Sequence, residues 1–220
     1  MTMGIEHLLT ATRSARRSLD LDAPIDIADV RDALDTGLHA ANGTNNQSWR
    51  WLVISDQDTR RQLGDIYREA YLTMTGGNMV GDLLADHGEI GRVMASTEWL
   101  VDNLAQVPLH IIPCYEPYLP RFDNDDSFQH ATLYGSIFPA VWNFQLALHQ
   151  RGYGTCITTM HLLRETPVAE LLGIPDAYVQ ACLLPVARLK PGTHFRPAPR
   201  KPLHEVIAFD HWNRPLIEST

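Results

Sequence analysis

Long hydrophobic runs are absent from this 220-residue sequence. The longest apolar stretches, Gly135 to Val141 and Cys182 to Ala187, fall far short of the roughly 20 residues needed to cross a bilayer. Arg13, Arg16 and Arg17 lie near the N-terminus, but a polar segment follows them where a signal peptide has its apolar core. These absences predict a cytoplasmic protein with no membrane partner.

Cysteine is scarce as well. Cys114, Cys156 and Cys182 are odd in number and widely spaced, with no Cys-x-x-Cys pair, which argues against a disulfide framework and against a zinc site. The 10 histidines form no His-Glu-x-x-His motif, so we expect no bound metal. The three thiols are expected to be reduced and mostly buried.

Basic residues are fewer than acidic ones, 18 against 26. The formal net charge of -8 at pH 7 gives the chain a long-range field of the wrong sign for attracting nucleic acid or anionic lipid. We therefore expect no nucleic-acid partner. Any anionic ligand must instead meet a local cluster of basic residues.

The composition that remains is that of an ordinary globular protein, with 45% hydrophobic and 20% charged residues. No break in composition divides the chain, so residues 1–220 are predicted to form a single domain. Helical and strand patterns alternate irregularly, which favours the α+β class. The predicted helices cover 4–12, 27–41, a segment through 63–70, 90–104, 131–150 and 166–173, and the predicted strands cover 49–55, 109–114, 153–159 and 178–189.

The predicted helix from Ala131 to Gln150 is apolar nearly all round. Such a pattern is typical of a helix that is covered on every side. We interpret it as the central helix, close to a subunit contact, and we expect Trp142 to lie in the core.

Basic residues are concentrated near both ends of the chain. Thr12 to Arg17 contain three guanidinium groups and two hydroxyl-bearing side chains, and guanidinium groups bind phosphate oxygens in a bidentate manner. Arg196, Arg200 and Lys201 form a second basic group in a Pro-rich segment. If the termini meet, as they often do in compact domains, the two groups converge on one phosphate. Otherwise each group is a solvated basic surface.

A polar loop rich in amides, from Ala40 to Trp49, separates a predicted helix from a predicted strand. Side-chain amides offer paired donors and acceptors, which suit a heteroaromatic ring with alternating carbonyl and N–H groups. Asn and Gly are also common in turns, so the loop could simply end the helix. The length of the amide run favours a ligand.

Four segments, in this order, resemble the FMN-dependent nitroreductase family. Thr-Arg-Ser-Ala-Arg-Arg at Thr12 to Arg17 is similar to the family's Arg-x-Ser-x-Arg stretch, and Asn45 to Trp49 resemble its Asn-x-Gln-Pro-Trp signature. Gly152 to Thr159 look like the strand beside the flavin ring. Arg200-Lys201-Pro202-Leu203, with the Glu-Val pair that follows, is similar to the C-terminal segment that closes on the phosphate.

The resemblance implies a nitroreductase-like fold, with a central mixed, mainly antiparallel sheet flanked by helices, in an intertwined homodimer with its flavin site at the subunit interface. It implies FMN as the cofactor, with ring contacts from the strand segment and from the amide loop, part of which reaches the partner's site. The implied cofactor-binding residues are Arg13, Ser14, Arg16, Arg17, Asn42, Gly43, Asn45, Gln47, Ser136, Ile157, Thr158, Thr159, Arg200 and Lys201.

The activity that this resemblance implies is electron transfer from NAD(P)H to a small organic acceptor, such as a nitroaromatic or a quinone, by a ping-pong mechanism. It requires no catalytic side chain, because the flavin performs the redox step. The acceptor pocket is expected between the segments Tyr71 to His87 and Tyr115 to Phe128. Alternatives are a flavin-binding or sequestering protein with little turnover, a reductive dehalogenase or flavin-fragmenting relative, and a deazaflavin donor.

Three positions depart from the family pattern. Thr12 stands where many relatives carry an arginine, Ala41 and Asn42 replace Pro-Ser, and Ser48 replaces the proline before Trp49. These departures leave the expected fold unchanged and affect the details of the flavin contacts.

Overall fold

A computed structural model describes residues 4–76, 88–117 and 126–214. Within them, six strands form one sheet with the order β1-β6-β3-β2, and β4 and β5 pair with β6 and β3. Every strand pair in this part of the chain is antiparallel. The strands are β1 (Leu19–Asp20), β2 (Trp49–Ile54), β3 (Leu109–Tyr115), β4 (Tyr153–Thr155), β5 (Val179–Gln180) and β6 (Leu184–Leu189).

Helices cover both faces of this sheet. The described α-helices are α1 (Ile5–Ala11), α2 (Ile27–Leu38), α3 (Gln57–Thr75), α4 (Glu89–Asn103), α5 (Asp126–Gln150) and α6 (Glu165–Leu172). One hydrophobic cluster joins the sheet to α2 and α5, and a second joins it to α3, α4 and α6. No helix among the described residues combines the length and the apolar character that crossing a bilayer requires.

The strand β3 lies at the centre of this three-layer arrangement, and all seven of its residues are buried. Its side chains alternate between the two faces, as the pleat of a strand requires. Ile111 therefore packs in the cluster of α2 and α5, whereas Ile112 packs in the cluster of α3 and α4. A strand covered on both faces reads as a nearly continuous apolar run, as this one does in the sequence apart from His110.

Local chemistry explains several helix ends. The carboxylates of Asp26 and Asp56 accept hydrogen bonds from the backbone N–H groups of Ala28 and Thr59, both at 2.8 Å, and so cap α2 and α3. The helix α6 ends at Gly173, whose φ of 64° lies in the left-handed region that glycine adopts without strain. The predicted Asp26 cap and the predicted stop at Gly173 are both confirmed.

The α+β class and the helix-flanked antiparallel sheet are confirmed, and most element boundaries agree within a few residues. The predicted strand over 178–189 is instead two short strands, β5 and β6, and that over 153–159 ends at Thr155. The two-residue strand β1 was not predicted, because two residues carry no periodicity. The predicted acceptor-pocket segments fall largely on 77–87 and 118–125, outside the described residues.

The long helix α5 differs from expectation in one respect. It is not covered on every side within one chain, since Tyr134 is 37% exposed and Trp142 is 39% exposed. The prediction that Trp142 lies in the core is therefore wrong. All three cysteines are buried free thiols, as predicted.

Candidate functional site

The two ends of the chain meet beside the sheet. Strand β1 pairs with β6, and beyond β6 the backbone N–H of Lys190 donates to the carbonyl of Ser18 at 2.9 Å. The Lys190 ammonium also donates to the carbonyl of Arg17 at 2.8 Å. The C-terminal segment therefore leaves the sheet next to the N-terminal basic stretch.

The N-terminal basic stretch itself is held against β4. The backbone N–H of Ala15 donates to the carbonyl of Thr155 at 2.9 Å, and the side chain of Ala15 is buried. The neighbouring Arg13 and Ser14 are exposed, and Arg16 is half-buried. The buried Ala15 thus fixes the backbone from which the Ser14 hydroxyl and the guanidinium groups of Arg13 and Arg16 project.

A cleft of about 910 Å³ lies between the two ends of the chain. It brings Arg13 and Arg200 to one surface, as the convergence hypothesis predicts. None of its lining residues among those that the structure describes is a carboxylate, and four of them are arginines, in a chain of net charge -8. Its lining residues are Thr12, Arg13, Ser14, Arg16, Arg92, Val93, Ser96, Trp142, Phe195, Ala198, Pro199 and Arg200.

The positive charges in the cleft have no ion-pair partner in the part of the chain that the structure describes. Among the described residues, the ion pairs involve other arginines and none of the four that line the cleft. The Nε of Arg16 is buried and has no hydrogen-bond partner in this part of the chain. Buried donors are normally satisfied, so this Nε of a residue that lines the cleft is a candidate donor to a ligand.

A smaller inner pocket of about 90 Å³ adjoins the cleft, sharing Thr12, Arg13, Ser14 and Trp142 with it. Two further lining residues are buried polar groups, Gln145 and Thr155. The Oε1 of Gln145 and the Oγ1 of Thr155 have no hydrogen-bond partner within the described residues. Three unsatisfied polar atoms, counting the Nε of Arg16, thus lie around one continuous space.

The segment after β4 is tied to α3 and to the sheet. The backbone N–H of Thr158 donates to the carbonyl of Leu183 at 3.0 Å, and its hydroxyl lies 2.6 Å from that of Tyr67. Burial raises the pKa of Tyr67 to about 12, so the phenol stays protonated at neutral pH. Because the backbone N–H of Thr158 is already engaged in the bond to Leu183, it is not free to donate to a ligand.

The neighbouring Cys156 is fully buried. Burial raises the pKa of its thiol to about 11, against the opposing effect of the positive charge of Arg16. The thiol is therefore neutral at physiological pH, and an inaccessible neutral thiol is a poor nucleophile.

The amide loop forms a separate small pocket with the central helix. The backbone N–H of Gly43 donates to the hydroxyl of Ser136 at 3.1 Å, and that of Gln47 donates to Oδ1 of Asn42 at 3.2 Å. These four residues all line the pocket, and none of its lining residues also lines the arginine cleft. Within one chain, the amide loop and the basic residues therefore lie at two different places.

The backbone of this loop is strained. Thr44, Asn45 and Gln47 have φ values of 54°, 55° and 53°, in the left-handed region. Asparagine tolerates this region, but a β-branched threonine does so at a cost of roughly 1–2 kcal/mol. Strained non-glycine residues cluster at functional sites, so the backbone supports the interpretation of this loop as a binding element.

Not every predicted site residue lies at a pocket. Arg17 is not among the residues that line the cleft, because its guanidinium donates to the carbonyl of Ala95 at 2.9 Å. Ile157 lines the inner pocket. Asn45, Thr158, Thr159 and Lys201 line none of the three pockets described above.

Several pocket residues were missed by sequence reasoning. Gln145 is a lone amide in an apolar helix, and that contrast could have identified it. Trp142 was assigned to the core because the sequence does not show which helix face stays uncovered. Arg92 and Phe195 carry no local signal, since only the tertiary fold brings them to the basic stretch.

Comparisons with known proteins agree with this architecture. An iodotyrosine deiodinase of Daphnia pulex is 24% identical over 197 residues, which are 89% of this chain and 62% of that protein's length. A crystal structure of oxidized iodotyrosine deiodinase bound to FMN and 3-iodo-L-tyrosine superimposes with a TM-score of 0.69 at 20% identity, covering 94% of this chain and 99% of the other.

An FMN- and NADPH-dependent nitroreductase from Sphigopyxis sp. strain HMH superimposes with a TM-score of 0.70 at 16% identity, covering 96% of this chain and 100% of the other. At these identities the structural likeness establishes the fold. The family model for the nitroreductase family matches residues 9–188, which span most of the chain. This protein therefore belongs to the nitroreductase family.

Proposed function

We propose that this protein binds FMN and passes electrons from NAD(P)H to a small organic acceptor, of the nitroaromatic or quinone type. The observation that carries the proposal is the convergence of Arg13 and Arg200, from opposite ends of the chain, on one cleft that no described carboxylate lines. FMN is named in both of the superimposed relatives described above. NADPH is named for one of them.

The residues of the cleft fit the phosphate of FMN. A phosphate monoester carries close to two negative charges at neutral pH and accepts several strong hydrogen bonds. Arg13 and Arg200 would bind its oxygens, with Ser14 as a further donor. Lys201 follows Arg200 directly and would add positive charge nearby. Arg17 is left out of this set, since its guanidinium is engaged by Ala95.

The inner pocket would contact a portion of the uncharged part of the same molecule. Gln145 and Thr155 would form hydrogen bonds with its polar groups, using atoms that have no partner among the described residues. Arg16 would hold a fixed positive charge at the junction of pocket and cleft. Ile157 would contribute an apolar wall, and Thr158 and Thr159 would follow along the same segment.

When bound, FMN supplies hydride and electron transfer, so donor and acceptor occupy one site in turn, which is a ping-pong scheme. The protein then binds and orients the flavin and its substrates and excludes water from the site. No side chain needs to act as an acid or a base. A fixed cation such as Arg16 would stabilise the negative charge that reduction adds.

The proposed enzyme is a homodimer. In one chain the amide loop, with Asn42, Gly43 and Gln47 beside Ser136, is separate from the arginine cleft. A second copy would bring its loop to the cleft and complete the site, with Asn45 as a further ring contact. Exposed apolar side chains on α1, such as Ile5, also call for a covering partner.

An absorbance spectrum, followed by anaerobic addition of NADH or NADPH, tests this proposal. We expect a yellow protein with a flavin band near 450 nm that is bleached by a nicotinamide and restored by nitrofurazone or a quinone. A colourless protein that takes up no added FMN would refute it. A yellow protein that neither nicotinamide bleaches would instead indicate a flavin-binding protein, or a deazaflavin donor.

Reductive dehalogenation of an aromatic acceptor is a second candidate, because the comparisons by sequence and by structure both include an iodotyrosine deiodinase. Iodide release from 3-iodo-L-tyrosine by the dithionite-reduced protein would support it. Turnover of nitrofurazone without any release of iodide from 3-iodo-L-tyrosine would exclude dehalogenation of that compound.

A further inference from the structure

The cleft holds two more cations than the phosphate site accounts for, and only one of them, Arg16, already has another role in the proposed site. Arg92 belongs to the first turns of α4 and lines the cleft together with Ser96, one helical turn further on. Neither residue lies in the two basic segments at the ends of the chain. The helix α4 is joined to the N-terminal stretch by the hydrogen bond from Arg17 to the carbonyl of Ala95, at 2.9 Å.

The charge balance points to a second anion. Arg13, Arg16, Arg92 and Arg200 carry four positive charges around the cleft, and none has an ion-pair partner among the described residues. One phosphate monoester neutralises close to two of them. The surplus is confined to one concave surface of an acidic chain, where it attracts a further anion.

Apolar surface lies next to Arg92. Val93 and Trp142 line the same cleft and are 51% and 39% exposed. Phe195 forms a further apolar wall, its ring centroid 5.2 Å from that of His149. A ligand that uses both features has a flat apolar body and an anionic group, since aromatic rings stack on tryptophan while a guanidinium binds a carboxylate.

We propose that Arg92, assisted by the hydroxyl of Ser96, binds the carboxylate of an aromatic acceptor, and that this anion distinguishes the preferred acceptors from neutral ones. The proposal rests on the proposed function, because the acceptor must reach a bound flavin. Arg92 serves substrate binding only, whereas Arg13 and Arg200 serve the cofactor. The two roles are therefore separable by mutation.

The test uses FMN-saturated protein and two probes of the same size, 4-nitrobenzoate and the neutral 4-nitrobenzamide. Their dissociation constants are measured from the change that each causes in the flavin spectrum of the oxidised protein, without turnover. For Arg92→Gln we expect about tenfold weaker binding of 4-nitrobenzoate, unchanged binding of 4-nitrobenzamide and unchanged FMN retention. Arg92→Lys should restore part of the loss.

A matched control is Arg61→Gln, which removes one positive charge from an exposed position on α3. This variant should bind both probes as tightly as the wild type does. The proposal would be overturned if Arg92→Gln weakened the binding of both probes equally, or weakened the binding of neither. Loss of FMN from Arg92→Gln, with no specific effect on 4-nitrobenzoate, would also overturn it and would assign Arg92 to the phosphate site. A raised KM for NADPH as the only effect would overturn it too and would assign Arg92 to the binding of the electron donor.

A failure of the proposed function would give a different experimental result from a failure of the Arg92 subsite. In that case the wild-type protein itself retains no FMN, and the subsite that depends on the flavin is refuted with it.

Discussion

At the scale of single residues, three of the unsatisfied buried polar atoms belong to residues that line the inner pocket or the cleft. Most buried polar groups in folded proteins have partners. Gln145, Thr155 and Arg16 each keep a buried atom that has no partner within the described residues, and all three border the same space. A ligand with matching hydrogen-bonding groups would satisfy them.

His161 is another unsatisfied buried residue, but it lines none of the site pockets. It is fully buried, and both ring nitrogens lack a hydrogen-bond partner in the described part of the chain. Burial lowers the pKa of His161 from 6.5 to about 4. The folded protein therefore keeps this imidazole neutral at pH values where the unfolded chain protonates it.

The stability of the protein should consequently depend on pH. Between pH 6.5 and 4 the unfolded state binds a proton at this position that the folded state does not. The free energy of unfolding should fall across this window as the pH falls, by up to roughly 3 kcal/mol from His161 alone. Urea unfolding of FMN-free protein at pH 7.5, 6.5 and 5.5 measures this effect.

The informative comparison is with His161→Gln, which removes the titrating group. Its free energy of unfolding should fall less steeply with decreasing pH than that of the wild type, whatever its stability at pH 7.5. The same change at the exposed His39 should leave the dependence unaltered. An identical pH dependence in His161→Gln and wild type would contradict the assignment.

At the scale of secondary-structure elements, the position of the basic stretch depends on a close approach of backbones. Gly154 in β4 has no side chain, and an added Cβ would lie 2.7 Å from the Cβ of Ala15 and 2.5 Å from a methyl group of Leu189. Both contacts are too short, so a larger residue would push the N-terminal stretch away from β4. Glycine at this position therefore sets where Arg13 and Ser14 lie.

Gly154→Ala should for this reason affect both stability and cofactor binding. We expect a loss of roughly 1–3 kcal/mol in the free energy of unfolding, as is typical of overpacking. We also expect weaker FMN binding, because the phosphate-binding residues move. Urea unfolding of the FMN-free protein and a fluorescence titration with FMN measure the two effects.

Gly135→Ala in α5 is the matched control, since an added Cβ there meets no atom within 4 Å. In a helix, alanine is favoured over glycine, so this variant should be no less stable than the wild type. Wild-type stability together with wild-type FMN affinity in Gly154→Ala would show that the close approach is not needed.

Part of the site could be read from the sequence, because some of its residues lie in short contiguous segments. Arg13 and Ser14 belong to one such segment and Arg200 to another, and the structure brings these segments together as expected. Arg92 could not be predicted, since its distance from Arg13 depends on how α4 packs. Trp142 was misassigned because an apolar helix face looks the same in sequence whether its own chain or a second subunit covers it.

The fold was more predictable than the site. Strands such as β3 and helices such as α2 are long enough for periodicity and caps to define them. The short strands β1 and β5 depend on pairing partners that are distant in sequence, and only the sheet itself identifies them.

At the scale of the whole molecule, the surface has apolar residues that one chain leaves uncovered. Ile5 and Leu9, one helical turn apart on α1, are 76% and 51% exposed. The helix α1 packs against α5, whose Trp142 is also partly exposed. Contiguous apolar surface of this kind marks interfaces between subunits.

The protein should therefore have a mass in solution of twice the 24.8 kDa chain. The double variant Ile5→Glu with Leu9→Glu should shift the mass towards that of the monomer and reduce FMN retention, because the partner completes the site. Light scattering coupled to size-exclusion chromatography measures the mass, and the absorbance near 450 nm of the same peak measures the flavin.

Val53→Glu, at an exposed apolar position on the edge strand β2, serves as the control and should remain dimeric. A wild-type protein that is monomeric and fully loaded with FMN would contradict the shared site.

The central claim is that arginines from both ends of the chain hold one phosphate. The most direct measurement compares the dissociation constants of FMN and of riboflavin, which lacks the phosphate, for the wild type, Arg13→Ala, Arg200→Ala and the exposed control Arg31→Ala. We expect Arg13→Ala and Arg200→Ala each to weaken FMN binding by roughly tenfold or more and to leave riboflavin binding unchanged, and we expect the control to alter neither. Unchanged FMN binding in both variants, or equal losses for FMN and riboflavin, would contradict it.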